Sequence, residues 1–173
     1  MPLVSRRHRP AAGDKWHLDE VVISIAGKKH WLWRAVDQHG VVLDILVQSR
    51  RIAKAAKRLL RKLLKKQGIA PRVLITDKLA SYAAAKRVEM PGAEHRQHKG
   101  LNNRAENSHQ PTRRRERIMK CLKSARQAQH FLSAHDQVAN LFHRPANTNA
   151  ADRRRARARA FQGWTEVTDV ARA

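Results

Sequence analysis

The chain has few acidic residues, a single cysteine and no long apolar run. Its 173 residues include 14 Asp and Glu against 37 Lys and Arg, so the formal net charge is +23. The one cysteine, Cys121, excludes an intramolecular disulfide and any zinc site built from several cysteines; we expect it to be a small apolar residue on a helix. No apolar stretch approaches the ~20 residues that span a bilayer, and residues 1–15 lack the apolar segment of a secretory signal. We therefore expect a cytoplasmic protein with no membrane partner.

The excess of positive charge indicates a polyanionic partner. Repulsion among so many cations destabilises a compact chain unless it binds opposite charge. Nucleic acid is the expected partner, because neutralising its phosphates releases condensed counterions. An anionic membrane surface is the alternative, and no small-molecule substrate is expected.

The first part of the chain predicts an antiparallel sheet. Three β-branched or apolar runs, Trp16–Gly27, His30–Val36 and Val41–Gln48, are typical of strands. Short turns join them at 27–29 and 37–40, where glycine supplies a positive φ. We expect three consecutive strands linked as a meander.

The segment RRIAKAAKRLLRKLLKKQG predicts an amphipathic helix that ends at Gly68, a typical C-cap residue. Its apolar residues recur at helical spacing and form one stripe. They are Ile52, Ala55, Ala56, Leu59, Leu60 and Leu63. The basic residues on the other side are interpreted as the solvated face of a core-packed helix, with a DNA or membrane surface as the alternative.

The second part of the chain predicts further strands and helices. Arg72–Thr76 is a short apolar run typical of a buried strand parallel to a neighbour, and Ala93–His98 is a candidate fifth strand. Ser81–Met90 predicts a short helix, and residues 102–142 predict long helical stretches interrupted near Pro111. The order β-β-β-α-β-α-β-α predicts an α/β protein of RNase H-like fold, with a mixed central sheet flanked by helices; other α+β topologies also fit this pattern.

Three regions are expected along the chain. Residues 1–15 form a basic flexible arm, residues 16–143 the folded domain, and residues 144–173 a basic, partly helical tail. Phe161 and Trp164 would dock the tail as a short helix; without that docking the tail would be disordered.

Three acids stand out as candidate metal ligands. Asp19 lies within a strand pattern, where carboxylates are disfavoured, and Asp77 follows a buried strand at the end where α/β sheets commonly form sites. Glu106 opens the late helical region among arginines. Each has a structural alternative: an edge-strand charge, a turn or N-cap residue, and an ion-pair partner. Glu20 competes with Asp19, and strand alternation puts the two on opposite faces.

A set of three converging carboxylates would suit phosphodiester chemistry with two metal ions. Such chemistry needs ions held ~3.5–4 Å apart by carboxylate oxygens, and Mg²⁺ favours oxygen ligands completed by water and phosphate. A basic surround is also required, because the DNA backbone would otherwise be repelled. Spacing alone leaves the triad open.

Several segments together resemble the DDE-type transposases of the IS-six insertion-sequence family. In order they are WHLDE, HWLWRAVDQHG, VLDILVQSRR, ITDKLASY, EHRQHKGLNNRAENSHQPTRRRER and SAHDQVANLF. The resemblance extends from Trp16 to at least Leu141, and the tail segment ARARAFQGWTEVT is also similar. Each motif alone is weak, but their number and order make the likeness specific.

The resemblance implies an RNase H-like catalytic domain whose Asp-Asp-Glu triad binds two Mg²⁺ ions, with Mn²⁺ as a substitute. Carried over by position, the catalytic and metal-binding residues are Asp19, Asp77 and Glu106, which favours Asp19 over Glu20. Positions near the triad are expected to contact DNA, with a solvated basic face as the alternative for the arginines. They are Lys78, Asn103, Arg104, His109, Arg113, Arg114 and Arg115.

Members of this family usually carry a helix-turn-helix region ahead of the catalytic domain. Only about fifteen residues precede WHLDE here, so we expect a truncated copy, a mis-assigned start or a catalytic half working alone. The first functional hypothesis is an enzyme that cleaves and transfers DNA strands as a homo-oligomer on insertion-sequence ends and target DNA. The second is a truncated, catalytically silent DNA-binding or oligomerising remnant.

Overall fold

The computed structural model describes residues 13–119, 122–143 and 149–170. Most of the predicted N-terminal arm, Cys121 and parts of the predicted tail lie outside the described residues. Among the helices of the described ranges, none combines the length and the apolar character needed to cross a membrane. The predicted boundaries between arm, domain and tail remain predictions.

The fold begins with an antiparallel meander of three strands. They are β1 (Lys15–Ile25), β2 (Lys28–Asp37) and β3 (Val42–Gln48), paired in that order. Ala26 and Gly27 form the first turn with φ values of 48° and 75°, as a two-residue hairpin turn requires. The turn is therefore tighter than the sequence predicted, and β2 begins earlier, at Lys28.

Helix α1 (Ala53–Gln67) follows and packs its apolar stripe into the core. The buried residues of this helix are Ala55, Ala56, Leu59, Leu60 and Leu63. Ile52, predicted to belong to the stripe, is instead the N-cap residue and is 44% exposed. Gly68 ends the helix as predicted, with a φ of 74° and an N–H that donates to the Leu64 carbonyl.

The remaining strands run parallel to β1, the first strand of the meander. Strand β4 (Val73–Thr76) is fully buried and pairs parallel with β1. Helix α2 (Ala80–Glu89) leads to β5 (Glu94–Gln97), which pairs parallel with β4. The mixed sheet has the strand order β3-β2-β1-β4-β5, so β1 is the central strand.

Helices complete the described chain. They are α3 (Asn103–Ser108), α4 (Gln110–Met119), α5 (Ala125–Leu141) and α6 (Ala150–Val170). The break between α3 and α4 falls at His109, while Pro111 is the second residue of α4, where a missing N–H costs little. The order of elements up to α3 is the RNase H-like order that the sequence predicted.

The sheet has an apolar core on each face. Even-numbered residues of β1, such as Trp16 and Leu18, pack with α1 and α2 in one cluster. Odd-numbered residues, such as Val21 and Ile23, pack with Leu132 of α5 in the other. This two-sided burial fixes which side chains of β1 point to each layer of helices.

Candidate active site

Asp77 directly follows the carboxyl end of β4, and Asp19 lies beside it in the middle of the adjacent parallel strand β1. Leu18 of β1 is in register with Thr76 of β4. Asp19 directly follows Leu18 in the sequence, and Asp77 directly follows Thr76. Their side chains are 15% and 26% exposed, so both are accessible. The carboxyl end of a parallel strand, here β4, is where α/β proteins commonly form their sites.

Three carboxylates converge at this point. Asp19, Glu20 and Asp77 each offer an oxygen, and these atoms lie within 4.8 Å of one another. Carboxylate oxygens are the ligands preferred by Mg²⁺ and similar hard cations. The chemistry of this donor set therefore fits a divalent metal ion.

Asp77 also stabilises the turn that leads into α2. Its Oδ1 accepts a hydrogen bond of 3.0 Å from the Leu79 N–H. Asp77 thus has the turn role that the sequence analysis gave as its structural alternative. This role uses only Oδ1, so Oδ2 remains available to other partners.

Glu20 points to the opposite face from Asp19, as strand alternation predicted. Its Oε2 accepts a 2.6 Å hydrogen bond from the Tyr82 hydroxyl, and its Oε1 accepts from Arg51. Burial raises the pKa of Glu20, although the bonds from Tyr82 and Arg51 oppose the change. Burial also raises the pKa of Tyr82 well above its ordinary value, and the negative charge of Glu20 adds to the shift.

His109 lies against Asp19 inside the protein. Its Nε2 is 3.4 Å from Asp19 Oδ2, and only 2% of the residue is exposed. Burial lowers the pKa of His109 despite the nearby Asp19 carboxylate, which favours the neutral imidazole. His109 was predicted to contact DNA, but its side chain is buried and faces Asp19, not the surface.

Helix α3 is held to the sheet at both of its ends around Asp19. Before the helix, Asn102 Nδ2 donates a buried 2.8 Å hydrogen bond to the Leu18 carbonyl. At its end, Arg34 of β2 donates to the Ser108 carbonyl. Glu106 lies between these two attachments on an exposed position of α3, and its carboxylate is not a member of the convergent group.

Arg34 joins α3, α4 and α5 to the sheet from a buried position. Its Nη2 donates to Thr112 Oγ1 at 2.7 Å and to both Asp136 oxygens, at 3.1 and 3.0 Å. Burial lowers the pKa of the guanidinium, and Asp136 opposes that change. Arg34 is the register partner of Asp19, so this network supports the helices next to the acid.

The other residues predicted to contact DNA are exposed. Lys78 directly follows Asp77, and Arg104 is near enough to His17 of β1 that its charge helps burial to lower the pKa of His17. The exposed residues of the predicted set are Lys78, Asn103, Arg104, Arg113, Arg114 and Arg115.

Sequence reasoning missed the roles of Arg34, Arg51, Tyr82 and Asp136. Their contacts join residues 31 to 102 positions apart, which spacing cannot predict. One signal was present: Arg34 is a charged residue inside an apolar strand run, where such residues need a buried partner.

Comparisons with known proteins agree with this geometry. A family model, DDE_Tnp_IS240, described as a DDE domain, matches residues 13–144. The transposase for the insertion sequence-like element IS431mec of Staphylococcus aureus is 35% identical over 100 residues, which are 55% of this chain and 44% of that protein. The chain thus spans less than half the length of that curated relative.

Two solved structures have a similar fold. The simian T-cell lymphotropic virus intasome, in complex with the PP2A regulatory subunit B56 gamma, aligns with a TM-score of 0.55 and 16% identity over 87% of this chain and 55% of that chain. The catalytic core domain of BIV integrase aligns with a TM-score of 0.50 and 13% identity over 79% of this chain and 88% of that one. At these identities the likeness concerns the fold alone, and it confirms the RNase H-like arrangement.

The matched family covers the sheet, the convergent acids and the helices that flank them. The resemblance to DDE-type transposases of the IS-six group is confirmed by the family model and the IS431mec relative. The chain therefore belongs to the DDE_Tnp_IS240 family of DDE domains.

Proposed function

We propose that this chain is the catalytic domain of an insertion-sequence transposase that cleaves and transfers DNA strands with divalent metal ions. The observation that carries this proposal is the convergence of Asp19 and Asp77 on adjacent parallel strands of a DDE-family chain. Glu106 is the proposed third acid, and its place on α3, which is attached to the sheet around Asp19, supports that role. The proposed substrates are the ends of the element and target DNA, bound by a homo-oligomer.

Asp19 and Asp77 would hold two Mg²⁺ ions, or Mn²⁺ as a substitute, together with Glu106. When bound, such ions activate the attacking water or 3′-hydroxyl and stabilise the leaving oxygen of the phosphodiester. The Leu79 N–H keeps the Asp77 carboxylate in a fixed orientation. Buried His109 packs against Asp19, with its Nε2 3.4 Å from Asp19 Oδ2, and would help to hold this carboxylate in place.

The exposed basic and polar residues around the acids would bind the DNA backbone. Lys78 follows Asp77, and Asn103 and Arg104 lie at the start of the helix that carries Glu106. The three arginines 113–115 on α4 extend the positive surface beyond His109. Such contacts with phosphate position the DNA without reading its sequence.

Strand cleavage and transfer on labelled duplex ends tests the proposal. We expect the wild type to cleave and join strands with Mg²⁺ or Mn²⁺, and Asp77→Asn to lose this activity while it keeps its fold and DNA affinity. Asp19→Asn and Glu106→Gln are expected to behave in the same way. Asp152→Asn, at an exposed position of α6, is the matched control and should retain activity.

The outcomes separate the two functional hypotheses. Equal cleavage by wild type and Asp77→Asn would refute the metal-dependent mechanism. If the wild type and all variants bind DNA but none of them cleaves it, the result would instead support the silent DNA-binding remnant. Cleavage that is lost in Asp77→Asn but kept in Glu106→Gln would remove Glu106 from the site.

A further inference from the structure

Arg51 places a positive charge directly beside the convergent carboxylates. It lies between β3 and α1, and its Nε donates a 2.7 Å hydrogen bond to Glu20 Oε1. Its Nη2 is 3.5 Å from Asp77 Oδ2. One guanidinium therefore bridges Glu20 and the proposed metal ligand Asp77.

Glu20 serves as the fixed anchor of this arginine. Both of its oxygens have partners, Oε1 with Arg51 and Oε2 with the Tyr82 hydroxyl at 2.6 Å. Tyr82 is fully buried, and its ring packs edge-on against Trp33 with ring centroids 5.4 Å apart. Although a Glu20 oxygen lies near Asp19 and Asp77, its bonding capacity is directed to Arg51 and Tyr82.

A second anchor holds Arg51 from the side of β2. The central carbon of its guanidinium lies 5.0 Å from the centroid of the Trp31 ring, within the range of a cation–π contact. The Arg51 side chain is 38% exposed, so it is held without being enclosed. Glu20 and Trp31 hold the charge independently of Asp77, whose Oδ2 lies 3.5 Å from Arg51 Nη2, against 2.7 Å between Arg51 Nε and Glu20 Oε1.

We propose that Arg51 is an internal counter-charge that competes with divalent metal ions for Asp77 and thereby sets the metal affinity of the site. An ion bound to Asp77 must share this carboxylate with a cation that Glu20 and Trp31 keep in place. Removal of the Arg51 charge would end its repulsion of the metal ion. Screening by water limits the expected gain in metal affinity to roughly tenfold. The inference rests on the proposed function, because it takes Asp77 to be a metal ligand.

Titration of the full chain with Mn²⁺, after EDTA treatment and dialysis, tests the inference without DNA. Isothermal calorimetry would compare wild type, Arg51→Gln and Arg51→Lys. We expect the Mn²⁺ dissociation constant of Arg51→Gln to be about tenfold lower than that of wild type. Arg51→Lys keeps the charge and should stay nearer to wild type. Arg50→Gln, at the exposed neighbouring position, is the control and should not change the affinity.

A double variant guards against misfolding and against a direct role of Glu20 in metal binding. Arg51→Gln alone leaves Glu20 as a buried carboxylate with one partner fewer, which can destabilise the fold. Arg51→Gln combined with Glu20→Gln removes both charges, and Gln can still accept from the Tyr82 hydroxyl. We expect this variant to bind Mn²⁺ at least as tightly as wild type.

Two results would overturn the inference. The first is an Arg51→Gln variant that binds Mn²⁺ no more tightly than wild type, including one that does not bind it. The second is weaker binding by the double variant, which would make Glu20 a ligand. Absence of DNA cleavage by the wild type, together with tighter Mn²⁺ binding in Arg51→Gln, would refute the proposed function alone, because the titration involves no DNA.

Discussion

Arg34 carries a charge in the interior of the sheet, on the face covered by α5. Its side chain is 1% exposed, and Asp136 is its ion-pair partner. A buried ion pair contributes little net stability, but the removal of one member leaves an uncompensated charge. The pair also connects α5 to the helices that flank Asp19, so its loss would reach the site.

Asp136→Asn is predicted to lower the free energy of unfolding by about 3–5 kcal/mol, because Arg34 would keep its charge without a counter-ion. Urea denaturation followed by circular dichroism measures the change. The control Asp152→Asn, at an exposed position in the first turn of α6, should alter the free energy by less than about 1 kcal/mol. A loss below about 1 kcal/mol in Asp136→Asn would show that the Arg34 charge is compensated by other groups.

The residues of β1 show what alternation can predict and what it cannot. The opposite orientations of Asp19 and Glu20 follow from the period of two in a strand, and the structure confirms them. The partners of Glu20 do not follow, because Arg51 and Tyr82 are 31 and 62 positions away. Their meeting depends on how α1 and α2 pack on the sheet, which no local pattern contains.

At the scale of elements, α1 shows the strength and the limit of helical periodicity. The stripe from Ala55 to Leu63 is buried as predicted, since burial of one face follows directly from the spacing. Ile52 fits the same spacing but precedes the helix and is exposed. Periodicity identifies the buried face, whereas the first residue of a helix depends on how the preceding loop enters it.

Gly68→Ala is predicted to destabilise the protein by about 1 kcal/mol, because alanine must adopt the left-handed conformation that the C-cap requires. A Cβ at Gly68 would meet no atom within 4 Å, so the cost comes from the backbone alone. Thermal or urea unfolding measures it. Gly92→Ala is the matched control, since its Cβ also meets nothing and its φ is outside the left-handed range. Equal effects at both positions would contradict the explanation.

At the scale of the whole molecule, the net charge of +23 dominates the expected behaviour toward DNA. The charge is spread over several elements, including the outer face of α1 and the arginines of α4 and α6. Composition predicted a polyanionic partner, but only the fold separates the cations near Asp19 and Asp77 from those on other surfaces. Mutation can therefore test whether the cations near Asp19 and Asp77 or those on other surfaces bind DNA.

The affinity for duplex DNA is predicted to fall about 10³-fold or more between 50 and 200 mM salt, as expected for six or more phosphate contacts. Replacement of Arg113, Arg114 and Arg115 with alanine should weaken binding and flatten the slope of log affinity against log salt. Fluorescence anisotropy with labelled DNA measures both. The charge-matched control replaces Lys54, Arg58 and Lys65, which are exposed on α1. A larger change of slope in the control would indicate that DNA binds on the α1 surface and not on α4.

The central position of β1 has a consequence for how the site responds to local unfolding. This strand is paired with β2 along most of its length and with β4 over Lys15–Leu18, whereas β3 and β5 lie at the edges of the sheet. Fraying from an edge can expose β3 or β5 while β1 keeps its hydrogen bonds. The amides of Trp16–Leu18, which directly precede Asp19 and lie between β2 and β4, should thus exchange with deuterium only through near-global opening. Asp19 is carried by the part of the sheet that opens last, so its position should persist until the domain itself unfolds.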